Sequence, residues 1–304
     1  MNLKYQPPSF MCIGPEKTGT TWLYHTLIKH PEVYLPPVKE LRYFWEKVFQ
    51  PDHNLLKRFT SKHWHCRFYR LHLQERSLFY AQNLKKLISN EGDFRKQLDW
   101  DINYLFASHN DDWYLSLFKD GAGKTIGDID PLCYLLPESE ISRISKLFPD
   151  LKVIVLIRNP IDRSWSKAKM NLCRNRNLKF EEVTDREFYQ HFDDEFNSLS
   201  SYTNLVNSWQ KYFPAENIHV NFYDKLSEEP ITFLSEICDF IGLDINSMPQ
   251  GTLDKLSQRV FKGLDINIPQ EYADYLVKLY QDCIEEIATF DEVYPQKWVE
   301  ALAK

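Results

Sequence analysis

The stretch FMCIGPEKTGTTWLYHTL, residues Phe10–Leu27, predicts a strand, a tight loop and the start of a helix. In such a loop, successive backbone N–H groups point at one anion, and the positive end of the following helix adds to the attraction. The stretch therefore predicts a phosphate or sulfate site, with an ordinary turn between strand and helix as the alternative. The amides expected to hold the anion are those of Thr18, Gly19, Thr20 and Thr21.

The position of the lysine separates this loop from a Walker A loop. That motif, G-x-x-x-x-G-K-[ST], places its lysine directly after the second glycine. Gly14 and Gly19 have the required separation, but Thr20 occupies the lysine position and Lys17 lies inside the loop. We expect the Lys17 ammonium to face the outer, reacting side of the bound group. A Mg²⁺-dependent P-loop nucleotide kinase or NTPase is therefore the less favoured alternative.

Composition and charge narrow the class of protein. The chain has 304 residues, 43% of them hydrophobic and 26% charged, with a net charge of −6. These values are typical of a globular protein and give no overall basic surface for nucleic acid or anionic membrane. No apolar run approaches the roughly 18 residues of a membrane span, and the first ten residues lack a signal-peptide core. Scattered cysteines without a C-x-x-C pair predict buried thiols and a cytoplasmic setting.

Strand and helix patterns alternate along the chain, which predicts an α/β fold with a parallel, doubly wound sheet. The predicted strands are Ser9–Gly14, Lys124–Ile129, Lys152–Arg158 and Asn217–Tyr223. The predicted helices are Thr20–Lys29, Pro137–Phe148, Pro160–Met170, Ser200–Tyr212 and Lys225–Ile241.

Two stretches interrupt this alternation and are predicted as insertions in a single domain spanning residues 1–304. The first, about 46–120, is rich in aromatic and basic residues and then helical in pattern. The second, about 171–198, is mostly charged and polar. The sequence contains no repeat and no low-complexity tract.

A second segment with the residues of an anion site is VIVLIRNPIDRSWSKAKM, Val153–Met170. Arg158 ends a continuous apolar run, at the edge where doubly wound sheets bind ligands. Ser166 lies about two turns into the next helix. A guanidinium making two charge-assisted bonds and a hydroxyl could thus converge on one phosphate. A surface ion pair for Arg158 and a solvent-facing Ser166 are the alternatives.

Together these two segments resemble the sulfotransferases that use 3′-phosphoadenosine 5′-phosphosulfate (PAPS). In that family a P-K-[ST]-G-T-T-W loop binds the 5′-phosphosulfate, and an R-[ND]-P-x-[DE]-x-x-x-S segment binds the 3′-phosphate. The corresponding residues here are KTGTTW (Lys17–Trp22) and RNPIDRSWS (Arg158–Ser166), in the same order. The resemblance implies a core like that of the P-loop kinases, PAPS as co-substrate, PAP as product and no required metal.

The resemblance also implies roles for residues outside these two motifs. Trp22 and Tyr223 match aromatics near the adenine, and Lys262 or Arg259 in QRVFKG (Gln258–Gly263) would supply the late basic loop. GDIDPLCY (Gly127–Tyr134) is similar to the G-[ED]-x-[ST]-P-x-Y segment of carbohydrate-modifying members, with Asp130 in place of Ser or Thr. The full implied cofactor set is Lys17, Thr18, Gly19, Thr20, Thr21, Trp22, Arg158, Ser166, Tyr223 and Lys262.

Sulfuryl transfer to a hydroxyl needs a base and a positive charge near the bridging oxygen. Lys17 can supply the charge. In heparan-type and many bacterial members, the glutamate of a K-E-x-x-[FY]-F segment is the base, and Glu40 occupies that position in PPVKELRYFW (Pro36–Trp45). The neighbouring aromatics predict a raised pKa for this carboxyl group. The alternative is that Glu40 forms ion pairs with Lys39 or Arg42.

The cytosolic members use a histidine base, which leaves a second group of candidates. KHWHCR (Lys62–Arg67) contains metal-ligand types, but its spacing fits no zinc signature. The aromatic and basic residues of 46–120 could stack a sugar or line a pocket for an apolar alcohol, and the alternative is a helical cap with its own small core. The glutamate base favours a carbohydrate hydroxyl as the acceptor, while an amine, a lipid alcohol or a natural-product hydroxyl remains open. The rival histidines are His63, His65, His72 and His109.

Overall fold

The computed structural model describes residues 4–52, 54–88, 92–256, 264–288 and 293–302. The chain divides into two compact units. We call Pro8–Arg42 with Gly123–Lys304 the core unit, and Met1–Pro7 with Tyr43–Ala122 the helical unit. The first predicted insertion, 46–120, falls inside the helical unit. A single domain over residues 1–304 stays a prediction.

Among the described residues, the core unit contains five strands that form one sheet. They are β1 (Phe10–Gly14), β2 (Val33–Tyr34), β3 (Thr125–Ile129), β4 (Lys152–Ile157) and β5 (Ile218–Phe222). Their order is β2-β3-β1-β4-β5, and every neighbouring pair is parallel. The predicted fold class and the four predicted strands are confirmed. The order reverses at β1, which is the position where such sheets bind ligands.

The helices of the core unit lie between and after the strands in the chain, whereas α2 to α7 form the helical unit. The bounds are α1 (Thr20–Leu27), α2 (Tyr43–Phe49), α3 (Leu55–Thr60), α4 (Trp64–Gln82), α5 (Leu84–Ile88), α6 (Gly92–Phe106), α7 (Asp111–Ser116), α8 (Glu138–Leu147), α9 (Pro160–Ala168), α10 (Asp185–Ser198), α11 (Tyr202–Gln210), α12 (Tyr223–Glu228), α13 (Pro230–Ile241), α14 (Gln250–Leu253), α15 (Gln270–Ile287) and α16 (Tyr294–Leu302).

Three details of the prediction are wrong. The single helix predicted over Lys225–Ile241 is two helices, α12 and α13, because Pro230 has no N–H and its fixed φ suits the first turn of a new helix. β2 was not predicted because two residues carry no pattern of their own. After Ala168, α9 does not run on to Met170 but changes into a π-helical turn, Lys169–Arg174.

Helices cover both faces of the sheet, as the continuous apolar runs of β1 and β4 require. Every residue of β1 is buried. Phe10 and Cys12 pack with residues of α1 and α13, as do Ile154 and Leu156 of β4. The intervening residues of both strands are equally buried on the opposite face. The end of the sheet that carries the loop is therefore held on a rigid, fully packed support.

The predicted insertion 171–198 is part of the core unit rather than a polar addition to it. Phe188 and Phe192 of α10 are fully buried. Glu195, also on α10, accepts a 2.5 Å bond from Arg163 Nη1 and pairs with Lys167 Nζ at 2.7 Å. Burial alone would raise the pKa of Glu195, but the two cations lower it to about 2.

Replacing Glu195 with glutamine should destabilise the fold strongly. The change leaves the buried Arg163 without a counter-charge, and breaking one side of a buried pair costs about 3–5 kcal/mol. Because the folded pKa lies below the usual 4.5, the contribution is present above that pH and is lost as the pH falls towards about 2. Urea unfolding should therefore show a wild-type advantage that shrinks over this range.

The matched control for that measurement is Glu181→Gln, because Glu181 is exposed in the same segment. We expect the control to unfold within about 0.5 kcal/mol of wild type, as exposed substitutions usually do. An equal loss in both variants would show that the buried pair is not the cause.

The helical unit has its own core of aromatic rings and satisfied polar groups. Trp100 Nε1 donates to the Leu117 carbonyl at 2.9 Å. The buried Glu46 accepts from Tyr69 Oη at 3.0 and 3.1 Å. Many aromatic residues of the predicted insertion therefore form the core of the helical unit, which favours the alternative of a helical cap.

Candidate functional site

The loop between β1 and α1 requires glycine at both of its ends. Gly14 and Gly19 have φ values of +84° and +96°, which favour glycine. A Cβ on Gly14 would lie 2.6 Å from Pro131 Cβ, and one on Gly19 would lie 2.6 Å from Leu226 Cδ2. The loop is thereby pressed against the segment after β3 on one side and against α12 on the other.

The loop ends where the backbone amides of α1 begin. Gly19 is the N-cap of the helix and brings no side chain to its first N–H groups. These amides and the helix dipole are suited to an anion. Thr18 is buried and its Oγ1 donates to the Pro15 carbonyl at 2.6 Å. Thr20 is also buried, and Thr21 is partly exposed.

Lys17 lies in a strongly cationic part of the core unit. Its Nζ is 3.8 Å from Met170 Sδ in the π-helical turn. Burial, followed by the charges of Arg174 and Arg158, lowers the pKa of Lys17 to about 8, and Glu16 offsets only part of this. A bound anion would relieve the repulsion among these cations, so the free loop is electrostatically prepared for one.

Arg158 joins the second predicted motif to the loop. It directly follows β4, and its Nη1 donates to the Lys17 carbonyl at 3.2 Å. Its guanidinium carbon lies 4.4 Å from the centre of the Tyr223 ring. Its Nε is buried and has no hydrogen-bond partner within the described ranges. A buried donor of this kind, beside a second donor group, fits a phosphate ligand.

Ser166 lies on α9, which an ion-pair network anchors against the loop. The next residue, Lys167, pairs with Glu16 Oε2 at 2.8 Å and with Glu195 Oε2 at 2.7 Å. Ser166 is partly exposed. The network was not found from the sequence, because nothing in the spacing of Glu16, Lys167 and Glu195 indicates that they meet.

Trp22 is mostly buried rather than open. Its Nε1 donates to the Leu256 carbonyl at 3.1 Å, and its ring meets Phe233 edge to face at 5.8 Å. Leu256 is the last described residue before the predicted basic loop. Arg259 and Lys262 lie outside the described residues. The adenine contacts of Trp22 and Tyr223 stay predictions.

The π-helical turn contributes cations that the sequence interpretation did not assign. Lys169 Nζ donates to the carbonyls of Leu264 and Ile266, each at 3.0 Å. Both Lys169 and Arg174 contribute to the lowered pKa of Lys17. The basic residues that follow Ser166 at short intervals were the available signal.

Glu40 forms the ion pairs that were given as the alternative. Lys39 Nζ donates to its Oε1 at 2.8 Å, and Arg42 Nη2 donates to its Oε2 at 2.7 Å. Burial alone would raise the pKa of Glu40, but these two cations lower it to about 2. The predicted raised pKa is therefore wrong. Neighbouring charge outweighs desolvation here, and the carboxylate is ionised at neutral pH with a side chain 21% exposed.

Asp130 lies close enough to Glu40 for their charges to interact, and it is only 1% exposed. Its Oδ2 accepts from the Arg42 N–H at 2.8 Å, and its Oδ1 accepts from the Leu132 N–H at 3.1 Å. Burial and the charge of Glu40 raise the pKa of Asp130 to about 6, against the opposing effects of Arg42 and the two N–H donors. Two carboxyl groups with oppositely shifted pKa values therefore share the charge of one arginine.

The rival histidines all belong to the helical unit. His72 Nε2 lies 2.9 Å from Asp101 Oδ1. His109 stacks on Trp113 with ring centres 3.6 Å apart, and burial lowers its pKa to about 2. His65 Nε2 lies 3.2 Å from Cys66 Sγ, and the His63 and His65 ring centres are 5.7 Å apart. Each of the four rings therefore has a partner inside the helical unit.

Two further findings concern metals and membranes. Within the described residues, no three His, Cys, Asp or Glu side chains come together as a metal site would require. None of the described helices combines the length and the apolar character needed to cross a membrane.

The sequence profile of the Sulfotransferase family matches residues 8–247. The chain belongs to this family. Its sequence is 25% identical over 134 residues to human heparan sulfate glucosamine 3-O-sulfotransferase 6, covering 43% of this chain and 39% of that protein. It is 21% identical to the membrane-associated sulfotransferase kil1 of Dictyostelium discoideum, covering 92% of this chain and 64% of that protein. The chain thus spans well under half of the human sulfotransferase.

Solved sulfotransferases share the fold. A sulfotransferase from Alicyclobacillus acidocaldarius aligns with a TM-score of 0.58 and 20% identity, covering 94% of this chain and 96% of that one. The sulfotransferase domain from the curacin biosynthetic pathway aligns with a TM-score of 0.54 and 18% identity, covering 94% and 99%.

Proposed function

We propose that this chain transfers the sulfuryl group of PAPS to an acceptor hydroxyl. The observation that carries the proposal is the bond from Arg158 Nη1 to the Lys17 carbonyl. It brings together two motifs that lie 141 positions apart in the sequence. Each motif has the donors for one anionic group, and PAPS carries an anionic group at each end of its ribose.

The geometry around Arg158 and Lys17 supports the following proposed cofactor-binding roles. Thr18, Gly19, Thr20 and Thr21 would hold the 5′-phosphosulfate on the amides of α1. Arg158 and Ser166 would hold the 3′-phosphate. The Tyr223 ring, which contacts the Arg158 guanidinium, would contribute to the adenine site. The remaining proposed contacts to the nucleotide come from Trp22 and Lys262.

The proposed chemistry is an in-line displacement that uses two side chains of the core unit. PAPS supplies an activated sulfuryl group and leaves as PAP. Lys17 would place positive charge at the bridging oxygen, where negative charge develops as the bond breaks. Glu40, ionised at neutral pH, would take the proton of the acceptor hydroxyl. No step requires a metal ion.

We further propose a carbohydrate as the acceptor. The names of the human relatives describe enzymes acting on heparan sulfate glucosamine, and Glu40 lies in the segment type that heparan-type members use for their base. We also propose a cytoplasmic setting, because all six cysteines are buried free thiols. A reducing compartment keeps such thiols reduced.

Calorimetric titration with PAP, ADP and ATP, each with and without Mg²⁺, tests the proposed function. We expect PAP to bind at micromolar concentration, tighter than ADP and unaffected by Mg²⁺. A preference for ATP with Mg²⁺ would instead indicate a kinase, and the roles of Arg158 and Ser166 would then be wrong.

The variant Arg158→Ala should separate recognition of the 3′-phosphate from binding of the rest of the nucleotide. Loss of charge-assisted hydrogen bonds worth about 1.5–3 kcal/mol lowers PAP affinity by about 10- to 100-fold. Affinity for AMP, which lacks the 3′-phosphate, should change little. Arg186→Ala is the matched control, since Arg186 is exposed on α10. Equal wild-type affinity for PAP and AMP would contradict the assignment.

A further inference from the structure

Asp130 is fixed in place by the sheet itself. It directly follows β3, and its N–H donates to the Cys12 carbonyl of β1 at 3.0 Å. The next residue, Pro131, is in such close contact with Gly14 that a Cβ there would lie 2.6 Å from Pro131 Cβ. The Asp130 carboxylate is therefore held on the same packed strands as the loop that carries Lys17.

The segment held by Asp130 has an unusual backbone. Glu40 and Arg42 have φ values of +65° and +60°. Left-handed backbone in residues other than glycine is strained and persists only where the surroundings impose it. Asp130 Oδ2 accepts the Arg42 N–H at 2.8 Å, directly at the second of these two residues. The Arg42 guanidinium then reaches back to Glu40 Oε2 at 2.7 Å.

We propose that Asp130 is a positioning residue for Glu40, which it holds through the backbone and the charge of Arg42. The proposal rests on the proposed function, in which Glu40 is the base. Asp130 itself cannot reach an acceptor, because it is 1% exposed and both of its oxygens already accept backbone N–H bonds. It acts only through the segment that carries Glu40.

The negative charge of Asp130 has a second effect on Glu40. Lys39 and Arg42 hold the Glu40 proton affinity very low, and a base with so low an affinity accepts a proton poorly. The interaction between the two carboxylates is reciprocal, so an ionised Asp130 raises the proton affinity of Glu40. Serine or threonine, the residue types of the carbohydrate-modifying relatives, would supply a hydrogen bond here without that charge.

The electrostatic surroundings of Asp130 include groups from each neighbouring segment. The segment 39–42 contains two cations and one carboxylate. The strands β1 and β3 contain a further carboxylate and a thiol. Burial raises the pKa values of the Cys12 and Cys133 thiols, so they stay neutral at neutral pH. Glu40 and Arg42 act directly on Asp130, and Lys39 pairs with Glu40. Asp128 on β3, Cys12 on β1 and Glu140 on α8 act, like Asp130, on Cys133 after β3.

Asp130→Ser is the variant that tests this role, with turnover followed as PAP release from PAPS and an unsulfated heparan-type oligosaccharide. We expect turnover to fall by about 10-fold or more while PAP affinity stays within about threefold. Wild-type turnover should also fall as the pH drops through about 6, the pKa of Asp130. This acid limb should be absent in Asp130→Ser, because serine does not titrate there.

A stability measurement tests the buried carboxylate without relying on activity. The pKa of Asp130 is higher in the folded protein than its usual 3.8. Protonation therefore favours folding, and this contribution is complete below the usual value and is lost as the pH rises through about 6. The wild type should gain stability relative to Asp130→Ser as the pH falls between these values. Glu40 titrates lower and is present in both proteins.

The possible outcomes are distinguishable. Unchanged turnover and an unchanged acid limb in a folded Asp130→Ser would overturn the role of Asp130. If that variant does not fold, Asp130→Asn keeps the shape, removes the charge and must lose the acid limb in the same way. A wild-type chain that neither binds PAP nor releases it from PAPS would refute the proposed function itself.

Discussion

Replacing Lys17 with alanine should lower turnover by about 10²- to 10³-fold, the range found when one donor that stabilises developing negative charge is removed. PAP affinity should fall by less than about 10-fold. The ground-state anion keeps the amides of α1 and the hydroxyls of the loop, whereas the charge on the bridging oxygen has its cation in Lys17. Measuring turnover and calorimetric PAP affinity on the same preparation separates the two effects.

The pH dependence gives a second test of Lys17. Its pKa in the free protein is about 8, so the ammonium is present below this pH and is lost as the pH rises through it. We expect kcat/KM for PAPS, which reports the free enzyme, to fall above about pH 8. The limb in kcat should lie higher, because a bound anion raises the pKa of Lys17 again.

Lys29→Ala is the matched control, since Lys29 is exposed just after α1. It should leave turnover and both pH limbs unchanged. If Lys17→Ala lowers turnover and PAP affinity by the same factor, Lys17 only binds the nucleotide, and its catalytic role would have to be abandoned.

The main strands and the anion loop could be predicted because their signals are local. The run Val153–Ile157 is apolar throughout, as a strand buried on both faces must be. Gly14 and Gly19 mark two places in the loop where a side chain does not fit. An apolar residue indicates burial at its own position, and a glycine indicates a lack of space at its own position, so both can be predicted from the sequence.

The electrostatics of the site could not be predicted, because they depend on residues brought together by the fold. Aromatic neighbours in the sequence suggested a desolvated Glu40, yet two cations placed by left-handed backbone decide its pKa. The charged composition of 171–198 indicated a surface insertion, whereas Glu195 is buried beside Arg163. Charge patterns along a sequence do not show which partner each group meets.

Replacing Glu40 with glutamine should lower turnover by about 10²- to 10⁴-fold, the usual contribution of a positioned general base. PAP affinity should stay close to that of wild type, because Glu40 has no proposed contact with the nucleotide. The stability effect should be about 1 kcal/mol or less, since the Glu40 ion pairs are partly exposed. Glu32→Gln, at an exposed position between α1 and β2, is the matched control and should be fully active.

A double-variant cycle with Asp130 makes this prediction sharper. If Asp130 acts through Glu40, then adding Asp130→Ser to Glu40→Gln should cause little further loss of turnover, although Asp130→Ser alone lowers it. Two residues that act as a unit are non-additive in this way, whereas independent residues give the product of their effects. An active Glu40→Gln protein would move the base to one of the histidines. His72 would then be the first histidine to replace, because its contact with Asp101 orients the ring. His109 is a weaker candidate, because burial lowers its pKa to about 2 and so makes it a poor proton acceptor.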